Sequence, residues 1–262
     1  MTGFTWKIGG EAGQGIVSAG LIFAKVCQRA GYFVFDSNEY PSLIRGGHNT
    51  YTVRASQEKI YSQVQLIDIL VALNQNAVDF NQKELSPEGI IILNTDKINF
   101  KKPLRKSKVF PIPLIKLAEE IGGQALMMNN VALGASLALL AGDFHILTSV
   151  IKDVFGELPL QALNLNIKAA RAGFDFVKKN FKNTKLNFNL EKRKNKNSFL
   201  LSGNDAISLG AVKAGLKFFA CYPMTPINSI LAFFAKKGPE AGTVYVQPED
   251  EISGINMAIG AS

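Results

Sequence analysis

A glycine-rich turn near the start of the chain has a spacing that could hold a phosphate group. Residues 9–15 read Gly-Gly-Glu-Ala-Gly-Gln-Gly between a predicted strand and a predicted helix. Gly10, Ala12 and Gly15 fill the three positions of a G-x-G-x-x-G pattern, and Gly13 precedes the last of them. Glycines let backbone amides approach a phosphate, and a helix N-terminus adds favourable partial charge. A tight turn that binds nothing fits the same spacing, so both interpretations stay open.

A second glycine segment, Arg45-Gly46-Gly47, lies in a long connection, and such loops often carry function. An arginine beside two glycines can present its planar fork to a phosphate or a carboxylate. The alternative is that Arg45 pairs with Glu39 and only shapes the loop. His48 has no second histidine nearby, which makes it a poor candidate for metal binding or catalysis.

Two further segments near the end of the chain combine residue types that could serve a binding site. In Tyr222-Pro223-Met224-Thr225-Pro226, the prolines restrict the backbone and Thr225 offers a hydroxyl before a predicted helix. An ordinary threonine N-cap followed by proline satisfies the same pattern. Glu249-Asp250-Glu251 then opens the last predicted helix, where each acid could simply stabilise the helix by about 0.3–1 kcal/mol.

The elements that would position these residues alternate between short β-like runs and helical patterns, which is typical of a parallel α/β sheet. Pro111 and Pro113 favour an edge position for the last strand of the first domain. The predicted strands of this domain span residues 4–8, 32–35, 67–73, 90–93 and 108–112. Its predicted helices span residues 15–30, 114–121, 131–141, 147–154 and 160–176.

The alternation restarts after residue 198, which indicates a second α/β domain. The predicted strands are 199–201, 218–220 and 243–246, and the predicted helices are 205–214, 226–234 and one beginning at 249. Three strands are too few for a stable layered sheet, and the last helix is still running at Ser262. We therefore expect the natural chain to continue.

Almost all of the net charge of +8 is concentrated in one stretch. Residues 178–196 contain eight basic side chains and one acid and are rich in asparagine, which is typical of a solvated linker. The stretch lacks the stacking aromatic residues of RNA-binding surfaces, so the sequence argues against nucleic-acid binding. The predicted organisation is a domain over residues 1–181, a basic linker over 182–197 and an incomplete domain over 198–262.

Hydropathy and cysteine count exclude several classes of protein. The longest apolar run has 12 residues, whereas a membrane-spanning helix needs about 20, so we expect no membrane insertion. No signal peptide is visible at the N-terminus. Cys27 and Cys221 cannot hold an iron–sulfur cluster alone, and their apolar surroundings indicate reduced core thiols in a cytoplasmic protein.

Five segments of the first domain occur together in a distinctive order. They are residues 10–15, Ser18-Ala19-Gly20, the Tyr-to-Gly-Gly loop over 40–47, Val53-Arg54-Ala55-Ser56, and residues 129–134. In this combination they resemble the gamma domain of 2-oxoacid:ferredoxin oxidoreductases, over nearly the whole first domain. The resemblance implies a parallel-sheet, Rossmann-like α/β fold.

The second domain extends the resemblance to the alpha subunit of the same family, whose signature Tyr-Pro-Ile-Thr-Pro is similar to residues 222–226. The resemblance implies the start of an α/β domain that binds the aminopyrimidine of thiamine diphosphate, with Tyr222, Pro223 and Thr225 at the cofactor. It also implies that one glutamate hydrogen-bonds a pyrimidine nitrogen during catalysis. We expect Glu251 in this catalytic role beside Thr225, with burial raising its proton affinity, and Glu249 is the competitor.

The sequence has no Gly-Asp-Gly motif followed by asparagine, the pattern that holds the cofactor diphosphate and Mg²⁺. The resemblance therefore implies a separate beta subunit that carries Mg²⁺ and the iron–sulfur cluster, in a hetero-oligomer. The implied reaction converts a 2-oxoacid, of the 2-oxoglutarate or pyruvate type, and coenzyme A to acyl-CoA, CO₂ and reduced ferredoxin. The glycine residues 10, 13, 15, 46 and 47, with Arg45, would then bind coenzyme A or another nucleotide.

Two other hypotheses remain. The chain could be a non-catalytic module that binds a nucleotide or coenzyme A and serves assembly, which would depend on the two glycine segments alone. An NAD dehydrogenase ranks third: Asp36 follows the second predicted strand, as a dinucleotide site requires, but no hydride-transfer constellation follows the glycine turn.

Overall fold

The computed structural model describes residues 3–41, 46–99, 107–182, 184–194 and 198–262. The chain forms two compact units, and the boundary between them in the sequence lies between Ser198 and Phe199. None of the helices among these residues combines the length and hydropathy needed to cross a bilayer.

The first unit is built on a six-stranded sheet with strand order β2-β3-β1-β4-β5-β6. Strands β1, β4, β5 and β6 run parallel, and β3 runs antiparallel to both β1 and β2. The mostly parallel α/β fold is thus confirmed, and β6 lies at the predicted edge. The strands are β1 Gly3–Glu11, β2 Phe33–Glu39, β3 His48–Ser56, β4 Ile67–Ala72, β5 Leu85–Asn94 and β6 Lys108–Ile112.

Successive side chains of β1 point to opposite faces of the sheet, so the two faces contact different elements. The fully buried Trp6 stacks on Phe23 of the first helix at 4.3 Å between ring centroids, and its indole N–H donates to Ser136 Oγ at 3.0 Å. On the other face Lys7 pairs with Glu84. The helices of this unit are α1 Ile16–Arg29, α2 Gln75–Asn81, α3 Leu114–Glu120, α4 Met128–Leu139, α5 Phe144–Val154 and α6 Leu160–Asn180.

Helices α4 and α6 cross with their backbones in close contact. Every residue of α4 is buried, and its sequence is apolar apart from Asn129, Asn130 and Ser136. A Cβ at Gly134 would lie 1.7 Å from the carbonyl oxygen of Ala170, and one at Gly173 would lie 1.9 Å from that of Val131. The two glycines therefore allow this crossing, which holds the N-terminus of α4 over the sheet.

The described part of the basic stretch belongs to the first unit and packs on it over part of its length. Phe188 and Leu190 are buried, and the Leu190 amide donates to the Leu140 carbonyl at 2.8 Å. The Arg193 amide donates to the Ala30 carbonyl at the same distance. The expectation of a solvated linker is therefore wrong at Phe188 and Leu190, because these two apolar side chains are buried. Among the described lysines of the stretch, Lys182, Lys185, Lys192 and Lys194 are exposed.

The second unit contains two parallel strands and three helices. The Ser202 side chain and Asp205 form a capping box at the start of its first helix. The prediction of a strand over residues 199–201 is wrong, since this segment pairs with neither strand of the unit. The elements are α7 Gly203–Lys213, β7 Phe218–Ala220, α8 Asn228–Ala241, β8 Val244–Val246 and α9 Glu251–Ala261.

Candidate functional site

The glycine turn lies where β1 ends and α1 begins, at the carboxyl edge of the parallel strands. Gly13 has φ +87° and Gly15 has φ +71°, a left-handed conformation that glycine adopts without strain. The Gln14 side chain closes the turn, since its Oε1 accepts from the Glu11 amide at 2.7 Å. Ligands of open α/β sheets bind at this edge, so the turn is a candidate binding site by position as well as by composition.

Helix α4 adds a second N-terminus and a polar side chain to this edge. Asn129 is 8% exposed, its Nδ2 lies 3.5 Å from the Gln14 carbonyl oxygen, and its Oδ1 is buried with no hydrogen-bond partner. A Cβ at Gly15 would lie 2.3 Å from Asn129 Nδ2. Sequence reasoning missed Asn129 as a site residue, because a separation of more than a hundred positions leaves no spacing signal.

The two glycine segments meet at this edge. The Ala12 amide donates to the Gly47 carbonyl at 3.2 Å, and Gly46 and Gly47 both have positive φ. Gly10 lies within β1 and is close to the Gln14 side chain. Arg45 lies outside the described residues, so its predicted contact with a phosphate or with Glu39 stays a prediction.

The position of Asp36 argues against a dinucleotide site. In a dinucleotide-binding fold, the acidic residue follows the strand next to the glycine turn. Here Asp36 lies in β2, which β3 separates from β1, and its carboxylate accepts the Tyr51 hydroxyl. Burial and the neighbouring Asp36 raise the pKa of Tyr51 well above its ordinary value. The carboxylate is thus engaged within the β2–β3 pair.

The second unit has a mainly apolar cavity of about 210 Å³ between the end of β7 and one side of α9. Tyr222 and Glu251 contribute the polar side chains, and burial raises the pKa of the half-buried Cys221 thiol. Cys221 therefore lines a cavity, whereas Cys27 is a core thiol as predicted. The lining residues are Ala220, Cys221, Tyr222, Met224, Ile227, Glu251, Gly254, Ile255 and Ala258.

Of the three acids at the start of α9, Glu251 is the one that lines the cavity. Asp250 is the N-cap: its carboxylate accepts from the Ser253 amide at 2.6 Å, and this hydrogen bond lowers the pKa of Asp250. Glu249 is exposed and does not line the cavity. Glu251 is exposed too in the single chain, because α9 starts at the cavity rim, and its burial in an assembled enzyme stays a prediction.

Thr225 and Pro223 do not line this cavity, and Thr225 is exposed. The Thr225–Pro226 peptide bond is cis. Helix α8 begins at Asn228 with Ile227 as its N-cap, so the interpretation of Thr225 as an N-cap is wrong. A turn closed by the Ile227 amide on the Met224 carbonyl, at 2.9 Å, separates the threonine from the helix.

The described part of the chain contains no group of three or more histidine, cysteine, aspartate or glutamate side chains that could hold a metal ion.

Two family models match the two units. One, described as pyruvate ferredoxin/flavodoxin oxidoreductase, matches residues 5–176. The other, described as the thiamine diphosphate-binding part of pyruvate flavodoxin/ferredoxin oxidoreductase, matches residues 209–262.

Known proteins resemble the chain over both units. The alpha subunit of a 2-oxoacid:ferredoxin oxidoreductase from Sulfolobus sp is 28% identical over 98% of this chain and 48% of its own length. A 2-oxoglutarate:ferredoxin oxidoreductase from Magnetococcus marinus, solved with 2-oxoglutarate, coenzyme A and succinyl-CoA bound, matches all of this chain and 46% of its own. Its identity is 32% and its TM-score 0.89.

The first unit also resembles a separate subunit. A keto/oxoacid ferredoxin oxidoreductase gamma subunit from Geobacter sulfurreducens covers 66% of this chain and 96% of its own, with 27% identity and a TM-score of 0.56. The chain thus spans about half the length of the curated relatives it matches. Since one family model covers more than half of the residues, the chain belongs to the pyruvate ferredoxin/flavodoxin oxidoreductase family.

Proposed function

We propose that the chain is the gamma–alpha part of a thiamine diphosphate-dependent 2-oxoacid:ferredoxin oxidoreductase of the cytoplasm. The reaction converts a 2-oxoacid, of the 2-oxoglutarate or pyruvate type, and coenzyme A to acyl-CoA, CO₂ and reduced ferredoxin. The observation that carries the proposal is the cavity between Tyr222 and Glu251, in the unit that matches the thiamine diphosphate-binding model.

The cavity residues suit the aminopyrimidine end of that cofactor. Met224, Ile227 and Ile255 offer apolar contact to the faces of a flat ring, and Glu251 adds a carboxylate at the rim. When bound, thiamine diphosphate supplies a carbanion-stabilising centre for decarboxylation of the 2-oxoacid. The role of Glu251 is to hold a proton against a pyrimidine nitrogen, and the role of Tyr222 is to orient the ring.

The role proposed for Thr225 and Pro223 at the cofactor is supported by the family signature, since neither residue lines the cavity. The exposed Thr225 hydroxyl is free to meet a group from outside this chain, such as the cofactor held by a second subunit. In this proposal the backbone around Pro223 fixes where that hydroxyl points.

The proposal includes a beta subunit that holds the diphosphate, Mg²⁺ and an iron–sulfur cluster and delivers electrons to ferredoxin. The exposed position of Glu251 at the cavity rim supports a site completed by another polypeptide. The Sulfolobus relative is itself named as one subunit of its enzyme. A hetero-oligomer would cover the rim and give the glutamate the buried surroundings that proton sharing needs.

Coenzyme A is assigned to the glycine edge of the first unit, with Gly10, Gly13, Gly15, Gly46 and Gly47 approaching it and Arg45 pairing with a phosphate. The helix N-terminus at Gly15 favours a phosphate group, since its backbone amides point outward and no acid lies in the first turn. The Magnetococcus relative, which has coenzyme A bound, supports this class of ligand.

Replacing one carboxylate in the assembled enzyme tests the proposal. Glu251→Gln should leave the thiamine diphosphate Kd from calorimetry nearly unchanged but reduce 2-oxoacid-dependent reduction of a viologen dye about 100-fold or more. Glu249→Gln is the matched control, since this neighbouring acid does not line the cavity. Unchanged turnover of the Glu251 variant would remove that residue from the mechanism.

The second candidate is a module that binds coenzyme A or a nucleotide and takes part in assembly only. The link between Ala12 and Gly47 favours it, because both glycine segments then form one binding edge without any contribution from the cavity. Binding of coenzyme A by a chain that never supports 2-oxoacid oxidation with any beta partner would favour this candidate.

A further inference from the structure

We propose that His48, as the neutral ring protonated on Nδ1, is a positioning residue that holds the Gly46-Gly47 segment against the glycine turn. It deepens the proposed function by making the coenzyme A edge sensitive to pH, and this second part depends on the proposed coenzyme A site. The argument uses the residues around the imidazole and the backbone that it supports.

His48 lies at the junction of the two glycine segments. It is the first residue of β3 and pairs in register with Glu11, the last residue of β1. The preceding residue, Gly47, accepts the hydrogen bond from Ala12 in the turn. A movement of His48 would therefore be transmitted directly to the one backbone hydrogen bond that the structure shows between the glycine turn and Gly47.

The half-buried ring fills space that a missing side chain leaves on the sheet. A Cβ at Gly9 would lie 3.1 Å from His48 Cε1, so the imidazole rests against the bare backbone of β1. Phe80 of α2 covers the ring, with 5.1 Å between centroids. The imidazole is thus confined between β1 and α2.

Asn81 determines which nitrogen carries the proton. Its Nδ2 donates to the Ala77 carbonyl at 2.8 Å, which requires the amide nitrogen, and not the oxygen, on that side. The same Nδ2 lies 3.2 Å from His48 Nε2. Since the amide nitrogen can only donate, the contact favours Nε2 as the acceptor and places the proton of the neutral ring on Nδ1, a buried atom with no hydrogen-bond partner among the described residues.

The surroundings favour the neutral ring. Burial lowers the pKa of His48 below its ordinary 6.5, and the charge of Lys7 in β1 adds to this, while a backbone contact with Gly10 and the charge of Glu39 in β2 oppose it. Glu84 forms an ion pair with Lys7, and Glu11 lies opposite His48 in the β1–β3 register. Helix α2 faces the ring with Phe80 and Asn81. A proton on Nε2, as in the charged ring, would face the Asn81 donor, a repulsion that the neutral ring protonated on Nδ1 avoids.

The sign of the pH dependence follows from the lowered pKa. The stabilisation that the neutral ring provides is complete above pH 6.5 and is lost as the pH falls below that value through the pKa of the folded state. Protonation then weakens the contact with Asn81 and loosens the Ala12–Gly47 hydrogen bond. Affinity for coenzyme A should fall over the same pH range.

Imidazole nitrogen NMR on the full chain reads the tautomer directly. The chain has two histidines, so in the His145→Gln variant all imidazole signals come from His48. We expect a neutral ring protonated on Nδ1 with a titration midpoint below 6.5. Asn81→Asp should move the proton to Nε2 and raise the midpoint. A neutral ring protonated on Nε2 in the unchanged site would overturn the proposal.

Hydrogen exchange at the Ala12 amide measures the positioning role. His48→Phe keeps a flat ring without its nitrogens and should speed this exchange about fivefold at pH 7.5, as the loss of one hydrogen bond would. His145→Phe on α5 is the matched control and should leave it unchanged. An unchanged rate in both variants would mean that His48 positions nothing.

Coenzyme A titrations of the chain at pH 7.5 and pH 5.5 separate the two proposals. The unchanged chain should lose about fivefold in affinity at the lower pH, and His48→Phe should lose its pH dependence. If coenzyme A binds at neither pH, the proposed ligand fails, while the tautomer and the Ala12 exchange rate still decide the role of His48.

Discussion

The glycine edge of the first unit and the cavity of the second are positioned by different parts of the chain. The edge is formed mainly by backbone groups: the Ala12 amide donates to the Gly47 carbonyl, and Gly13 and Gly15 adopt left-handed conformations. In the cavity, side chains form the walls, and Glu251 stands exposed at the rim. The glycine positions of the edge should therefore be sensitive to an added Cβ, and the walls of the cavity should be sensitive to changes of side-chain chemistry.

The largest effect on stability is expected at the crossing of α4 and α6. Gly134→Ala places a methyl group 1.7 Å from the Ala170 carbonyl oxygen, so the helices must separate, at a cost of about 3 kcal/mol or more in unfolding free energy. Because α4 carries Asn129, coenzyme A affinity should fall as well. Gly210→Ala in α7, with open space around it, is the control and should gain up to about 1 kcal/mol. Equal denaturation midpoints for the two variants would refute the close crossing.

A smaller effect, confined to the edge, is expected from Gly15→Ala. The new Cβ combines a positive φ with a 2.3 Å approach to Asn129 Nδ2, so we expect a loss of about 1–3 kcal/mol and weaker coenzyme A binding. Gly13→Ala is the matched variant, since Gly13 also has positive φ but has open space around it. Chemical denaturation and calorimetry on both variants isolate the contribution of the Asn129 contact. If both bind and unfold alike, Asn129 does not belong to the edge.

The smallest effect is expected from removing the N-cap of α9. Asp250→Ala deletes the acceptor of the Ser253 amide, so exchange of that amide should become about fivefold faster while the fold persists. The pKa of Asp250 is lowered from the ordinary aspartate value of 3.8. The stabilisation of α9 by this cap is therefore complete above pH 3.8 and is lost as the pH falls below that value. Glu249→Ala should change neither rate nor pH dependence. If the Ser253 amide exchanges at the same rate in Asp250→Ala as in the unchanged chain, the cavity wall and not the N-cap positions Glu251.

Periodicity and turn chemistry were sufficient for most of the first unit. Five of its six strands follow from short apolar runs, and the glycine turn is correctly placed between β1 and α1. The sequence indicates β3 only through the family likeness of residues 53–56, because its start lies in a polar, glycine-rich stretch. Helix α2 is missed because seven residues are too few for a clear period.

The candidate site was less accessible to sequence reasoning than the fold. Motifs identify the residues that contribute backbone, such as Gly15, since spacing along the chain is what a motif records. Asn129 and the pairing of His48 with Asn81 come from separate elements, so only the sheet topology brings them together. The placement of Glu251 at an exposed rim depends on where α9 begins, which sequence patterns locate only to within a few residues.

The anchoring of the basic stretch has a practical consequence for dissecting the protein. A first unit cut after residue 181, where the composition changes, would lack Phe188 and Leu190 and would leave apolar surface uncovered. A cut at Ser198 would keep both, together with the Ala30 and Leu140 hydrogen bonds. Limited digestion by trypsin should accordingly spare the lysines nearest Phe188 and Leu190. A first unit that folds independently and stays soluble should need the whole basic stretch.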